Sequence, residues 1–312
     1  MNDTSTRNIK VLVVCSGNSG KTASFVLEQV ESLRNRGIKV EIFSVLGKGL
    51  RGYLRNLKPL KLKIKSFRPD IIHAHYGMSA LLSNLQRTVP VVSTYHGSDI
   101  NNKKNYAFSR LAMCLSRYNI FVSEINCNRA GLTKNVSVLA CGVDSELFVP
   151  LEKMIARQQL NWSIDKKYVL FAGAYDVRVK NAELALQSIQ LLPDTELIEL
   201  KGYSREKIVV LMNAADVCLM TSHTEGSPQF IKEALACNRP VVSVDVGDVA
   251  NLIGNVQNCK LVSREPADIA REIAILFNEQ QSNGRVKISA LGLELDTVAL
   301  KLIDIYKQVL KQ

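Results

Sequence analysis

The stretch Ala215-Asp216-Val217-Cys218-Leu219-Met220-Thr221-Ser222-His223-Thr224-Glu225-Gly226-Ser227-Pro228-Gln229-Phe230-Ile231-Lys232-Glu233-Ala234-Leu235-Ala236 decides the fold. Its first six residues are a short, mostly apolar run of the kind buried in parallel sheets. Gly226 permits a sharp turn. Ser227 is expected as the N-cap of a helix, with Pro228 at its first position, where a missing N–H costs nothing. Phe230, Ile231, Ala234 and Leu235 then repeat at helical spacing, and Asn238 and Pro240 end the helix. The unit reads strand, tight loop, helix. Its helix N-terminus presents free N–H groups and a positive dipole end, which suit a phosphate. Glu225 and Glu233 bracket that end and can accept hydrogen bonds from hydroxyls. On geometry alone, the same residues would serve equally as an ordinary βα turn with two solvated glutamates.

Working outward, the second half repeats this rhythm. A strand at 168–172 leads into the loop 173–181, which carries Arg178 and Lys180. A strand at 196–200 leads to Tyr203, and a strand at 239–244 leads to Asp245-Val246-Gly247-Asp248. These loops converge on the edge that holds Glu225. The first half has its own series, with strands at 9–15, 39–44, 70–75, 89–94, 119–122 and 136–139. The first strand opens into Ser16-Gly17-Asn18-Ser19-Gly20-Lys21-Thr22. That sequence invites a P-loop reading, but the required glycine five residues before Gly20 is Cys15. A glycine loop close to a ligand is the better reading. The fourth strand delivers Tyr95-His96-Gly97-Ser98-Asp99 at its carboxyl end, where open α/β sheets bind ligands. His73 and His75 are read as pointing to opposite faces of their strand, so no two-histidine metal site is expected. Strands alternating with helices twice over predict an α/β chain of two doubly wound, Rossmann-like domains facing across a cleft. The boundary is placed in the polar stretch 141–150, giving domains 1–150 and 151–312, with the last helix able to pack back on the first domain.

Composition narrows the function. The chain has 312 residues, 46% of them hydrophobic, and no apolar run near 18 residues. The polar N-terminus lacks the apolar core of a signal peptide. The seven cysteines are scattered without a Cys-x-x-Cys pair, which suggests reduced thiols in a cytoplasmic protein. The net charge is +11, and residues 1–150 hold 21 Lys+Arg against 9 Asp+Glu. The segment 48–68 carries eight basic residues and no acidic ones, interleaved with Leu, Tyr, Ile and Phe, and Pro59 is expected to divide it into two short helices. Such a segment suits an anionic membrane surface or acceptor better than nucleic acid, for which the aromatic content is thin, and it would also serve as an ordinary solvated helix face over a core side.

These residues resemble a known family. Glu225-Gly226-Ser227-Pro228 with Glu233-Ala234, then Pro240-Val241-Val242 and Gly247, looks like the Glu-x7-Glu signature of retaining glycosyltransferases of group one (family four), which have the GT-B fold. Asp70-Ile71-Ile72-His73-Ala74-His75, His96-Gly97-Ser98-Asp99 and Gly142-Val143-Asp144 with Phe148 and Pro150 are similar to its other landmarks, in order. The resemblance implies a UDP- or GDP-linked sugar donor on the second domain and a glycan or lipid-linked acceptor on the first. It implies a place in cell-surface polysaccharide biosynthesis, at the inner face of the membrane. Glu225 would meet the transferred sugar, Glu233 the ribose, Gly226, Ser227 and Pro228 the diphosphate, and Lys180 its charge. His96 would lie near the sugar, and Gly17 and Gly20 over the diphosphate. No metal and no cofactor are implied. One position departs from the pattern: Ala174 stands where the family usually has an arginine, so Arg178 is the residue nearby to take its place, while Tyr203 is a donor-site side chain that bears on which donor is bound. A sugar-nucleotide-binding protein with weak catalysis is therefore the alternative, ahead of a P-loop NTPase.

Overall fold

The structure is a computed structural model that describes residues 9–279 and 281–311. The chain forms two compact units, one from residues up to Gly142 together with Leu295 onward, the other from Val143 to Glu294. The division lies eight residues before the expected 150/151 boundary. The helix Leu295–Lys311 belongs to the first unit, so the second is inserted within the first.

The first unit holds a parallel sheet of six strands among the described residues: β1 (Lys10–Ser16), β2 (Lys39–Val45), β3 (Ile71–His75), β4 (Val91–Tyr95), β5 (Tyr118–Phe121) and β6 (Val136–Val138). Their order is β2-β1-β3-β4-β5-β6. Alternation along β1 sends Val11, Val13 and Cys15 to one face and Leu12 and Val14 to the other. The first face is covered by the helix Ser24–Asn35, through Val26, Val30 and Leu33, and by the helix Leu295–Lys311. The second is covered by Tyr53, Leu60, Ala80, Leu82 and Ala112 from four further helices. A sheet covered on both faces is the condition under which fully apolar parallel strands form.

The second unit repeats the plan with β7 (Lys167–Phe171), β8 (Thr195–Glu199), β9 (Val217–Met220), β10 (Val241–Val244) and β11 (Cys259–Val262), in the order β11-β10-β9-β7-β8. β11 escaped the sequence reading because its central residues, Lys260 and Leu261, are exposed at the sheet edge. In each sheet the strand order reverses once, between β1 and β3 and again between β7 and β9. There the loops at the carboxyl ends part and leave room for a ligand.

Two local expectations need correction. Pro59 does not divide the basic segment. The break falls at Arg55-Asn56, between the helices Gly49–Leu54 and Leu57–Phe67, where the Asn56 amide donates to the carbonyls of Leu46 and Gly52. Pro59 sits in the first turn of the second helix, where an N–H has no helical acceptor. The helix Gln229–Ala236 begins one residue later than expected. Pro228 is its cap residue, and no side chain caps it.

Candidate functional site

The loops after β7 and β9 meet at the point where the second sheet reverses. A 3-10 turn at Arg178–Lys180 follows β7. The Thr221 hydroxyl donates to the carbonyls of Lys180 and Asn181 at 3.1 and 2.9 Å, and the His223 N–H donates to Val179 O at 2.8 Å. Arg264 grips the same loop from below, donating to the carbonyls of Thr221 at 3.3 Å and Ser222 at 2.8 Å. Across the stitched loops Lys180 Nζ lies 2.7 Å from Glu225 Oε1, both side chains about one-fifth exposed (24% and 17%). A cation and a carboxylate thus share the mouth of the helix Gln229–Ala236, which carries Glu233 one turn in.

Two glycines make the geometry possible. Gly173 has φ +153°, and a Cβ there would lie 2.8 Å from Lys180 Cγ, so the lysine stem lies against bare backbone. Gly247, in the loop after β10, has φ +59°, and its Cβ would lie 2.5 Å from Gly226 O and 3.0 Å from Glu225 O. A side chain at 247 would therefore push on the Glu225-Gly226 turn itself. Next to it, burial lifts the Asp248 carboxyl to about 6, partly offset by Ser227 and Lys232.

Glu233 is 5% exposed and accepts from Arg205 Nη2 at 2.7 Å. The Arg205 guanidinium also lies over the Phe148 ring, 4.6 Å from its centroid. Ser204 caps the helix Arg205–Ala214, fixing where the arginine starts. Tyr203 stands beside it, 41% exposed. Arg178 is exposed in the 3-10 turn, and no side-chain hydrogen bond or ion pair to it is seen among the described residues.

In the first unit, the corresponding switch point gathers histidines. His73 and His75 share a face of β3, with ring centroids 4.5 Å apart, because residues two apart on a strand point the same way. The opposite-face expectation was wrong. His73 Nδ1 lies 2.6 Å from the Tyr306 hydroxyl and Nε2 lies 2.8 Å from Thr94 Oγ1. His75 Nδ1 lies 3.0 Å from His96 Nε2, and His96 Nδ1 lies 3.8 Å from Cys141 Sγ. The His96 ring is flanked by Phe25 and Tyr76 at 5.0 and 4.5 Å. Burial drives His75 down to about 3, and His73 well below the ordinary range, so both rings are neutral. Asp99 fastens the loops. Its Oδ1 accepts from the N–H groups of His96 and Gly97, both at 3.0 Å, and its Oδ2 from Gly77 N–H at 3.1 Å. Burial lifts this carboxyl to about 6 despite those bonds.

Gly17 packs on the end of β2, with its N–H on Val45 O at 2.9 Å, and Asn18 bonds Gly47 in both directions. Gly20 has φ +82° and faces open space. The helix after this loop starts at Ser24, beyond Lys21-Thr22, so the P-loop reading fails on geometry as well as spacing. Among the described residues, no group of three or more His, Cys, Asp or Glu is placed to hold a metal ion.

The second unit therefore brings together Lys180, Glu225, Gly226, Ser227, Pro228 and Glu233, while His96, Gly17 and Gly20 lie in the first. Sequence reasoning missed Arg205, Arg264 and the clamp made by Asp99. Asp99 had a signal in its place two residues after a glycine at a strand end. The two arginines had none, since their partners are 28 and about forty residues away.

Comparison with known proteins matches these two units. Residues 4–147 match the family model for Glycosyltransferase Family 4, and residues 169–279 match that for Glycosyl transferases group 1. Each half of the chain is thus similar to a glycosyltransferase domain, the first to one family model and the second to the other. It is 26% identical, over 70% of its length, to TuaC of Bacillus subtilis, a glycosyltransferase assigned to teichuronic acid biosynthesis. That match spans 64% of the length of TuaC. It is 23% identical to the D-inositol 3-phosphate glycosyltransferase of Mycolicibacterium smegmatis, over 83% of this chain and 82% of that one. Among solved structures, sucrose-phosphate synthase from Thermosynechococcus elongatus superposes with a TM-score of 0.84 at 18% identity, covering 97% of this chain and 100% of that one. HepE of Anabaena, solved with UDP, gives 0.74 at 17%, covering 96% and 100%. The fold is that of two Rossmann-like domains of the GT-B type.

Proposed function

We propose that the chain transfers a sugar from a nucleoside-diphosphate sugar to a glycan or lipid-linked acceptor, with retention at the anomeric carbon and without a metal ion. The observation that carries this reading is the Lys180–Glu225 pair at the β7/β9 switch point, 2.7 Å apart and beside a helix N-terminus. A donor diphosphate would draw Lys180 to itself and be met by the N–H groups opening the helix Gln229–Ala236. Glu225 would then be released to accept from the sugar hydroxyls, and Glu233, steadied by Arg205, from the ribose. Lys180 would offset the charge that grows on the leaving nucleotide. Ala174 leaves Lys180 without a neighbouring arginine, so the helix N-terminus carries more of that load. HepE, solved in complex with UDP, supports a nucleotide ligand. The TuaC and inositol-phosphate relatives support a glycan or polyol acceptor, which we assign to the first unit near His96. We assign Gly17 and Gly20 to a loop over the diphosphate.

The basic helices between 48 and 68 would dock the protein on the anionic inner face of the cytoplasmic membrane, where lipid-linked acceptors lie. No helix among the described residues is long and apolar enough to cross that membrane.

The test is a panel of UDP- and GDP-sugars scored by nucleotide release with purified protein. One donor should be turned over, and Lys180→Ala and Glu225→Ala should each reduce that rate by about a hundredfold or more. Tight nucleotide binding with no release from any sugar would instead mark a binding protein. Wild-type rates in both variants would remove the site assignment.

A further inference from the structure

We propose that His75 is a positioning residue: it holds the His96 imidazole in the tautomer with its proton on Nδ1, so that His96 meets substrate as a hydrogen-bond donor and not as a base. The proposal rests on the reading above for what His96 touches, and on geometry for everything else.

His75 is fully buried at the end of β3. Its Nδ1 lies 3.0 Å from His96 Nε2. Its own Nε2 is buried, with no hydrogen-bond partner among the described residues. Two proton arrangements fit the Nδ1–Nε2 bond. If His96 donated, His75 would carry its proton on Nε2, stranding a buried N–H with nothing to receive it, which is among the rarest states in folded proteins. If His75 donates from Nδ1, only a lone pair is stranded, and His96 Nε2 is the acceptor. His96 then holds its proton on Nδ1, facing Cys141 Sγ at 3.8 Å, a weak acceptor that a sugar hydroxyl or phosphate oxygen can displace.

The surroundings keep this arrangement single. His73 stacks on His75 at 4.5 Å and is itself held by Tyr306 and Thr94. Asp99 fixes the His96 backbone N–H at 3.0 Å, while Phe25 and Tyr76 flank its ring. The neutrality that burial imposes on His75 agrees with a ring that has one proton to give in a hydrogen bond.

The experiment is long-range proton–nitrogen NMR of the uniformly nitrogen-15-labelled protein at neutral pH, since only four histidines need assignment. His96 should show a protonated Nδ1 and a bare Nε2. His75→Phe keeps the ring and removes both nitrogens. His96 should then exchange between tautomers, and turnover should fall roughly tenfold or more with nucleotide affinity unchanged, since the wrong tautomer disables a histidine without displacing it. His75→Asn, which restores an N–H near the Nδ1 position, should recover the single tautomer and much of the rate. A wild-type His96 protonated on Nε2 overturns the proposal, and that spectrum decides even if His75→Phe fails to fold. An unchanged His96 spectrum in His75→Phe overturns it as well. If the tautomer is as stated but no sugar nucleotide is turned over, the fault lies in the functional reading and not in the role of His75.

Discussion

At position 173 a hydrogen atom is the working side chain. The Lys180 stem lies where a methyl group would stand, 2.8 Å from Cγ. Gly173→Ala should therefore displace Lys180 from Glu225 while leaving β7 intact. We expect nucleotide affinity to weaken about tenfold, or about 1.4 kcal/mol, with an unchanged circular dichroism spectrum; calorimetry on UDP and GDP would show it. Wild-type affinity would mean that the lysine does not reach the nucleotide. A second residue-scale expectation concerns acid. Burial lifts Asp99 and Asp248 to about 6. As pH falls through that value, each takes up a proton, and Asp99 loses acceptor capacity for the N–H groups that fasten His96 and Gly77. Transfer should decline reversibly below about pH 6. Stability should not follow: a carboxyl raised in the folded state binds its proton more tightly there than in the unfolded chain, so its contribution grows as pH falls from about 6 toward 4. A pH–rate profile beside melting temperatures separates the two, and a melting temperature that drops in step with the rate would contradict the assignment. At this scale the sequence made legible the strand ends that carry Lys180 and Glu225, and the helix that carries Glu233. It was silent on Arg205 and Arg264, whose partners the fold alone brings close. It misled on His73 and His75, where a period of two puts both rings on one face.

Among the elements, the pair of helices at 49–54 and 57–67 shows most plainly what pattern reading can and cannot reach. Its inner side packs Tyr53 and Leu60 on the sheet. Its outer side exposes Leu50 (40%), Leu54 (42%) and Leu62 (60%) among Lys48, Arg51, Arg55, Lys58, Lys61 and Lys65. Lys63 instead pairs with Glu41 of β2. Charge and spacing announced the amphipathic surface; the hinge at Asn56 was invisible, because it depends on carbonyls presented by the loop at Leu46 and Gly52. Vesicles containing anionic lipid should bind the protein and release it as salt shortens the Debye length from about 10 Å at 0.1 M toward 3 Å at 1 M. Charge reversal at Lys58, Lys61 and Lys65 together should abolish binding without altering nucleotide release from a soluble donor. Retention that ignores both salt and the reversals would rule out docking by this face.

For the whole molecule, two series of alternating strands and helices announced two Rossmann-like units, because fully apolar short strands fit only sheets covered on both faces. The last helix, expected to be able to pack back on the first domain, groups with the first unit; periodicity alone does not name the surface an amphipathic helix covers. Val298, Leu302, Ile303, Ile305, Tyr306 and Val309 are each at most 8% exposed in the core of that unit. At about 1.5–3 kcal/mol for each buried side chain of this size, the helix contributes on the order of 10 kcal/mol, as much as a domain's whole stability. A chain ending at Glu294 should thus lose amide protection in β1 and β3 and keep it in β7 and β9, as read by hydrogen exchange. Protected amides in β1 would show the helix to be dispensable.

The same insertion sets an order of events at birth. The first unit is synthesised first, yet it lacks the helix that seals its apolar face until Leu295–Lys311 leaves the ribosome. At roughly 5–20 residues per second, that wait is on the order of ten seconds. The second unit is continuous in the chain and can fold during it. The half expected to dock on a membrane is thus the half that spends its first moments uncovered, and chaperones that shield nascent apolar surface should be found on this chain between the emergence of β6 and that of Tyr306.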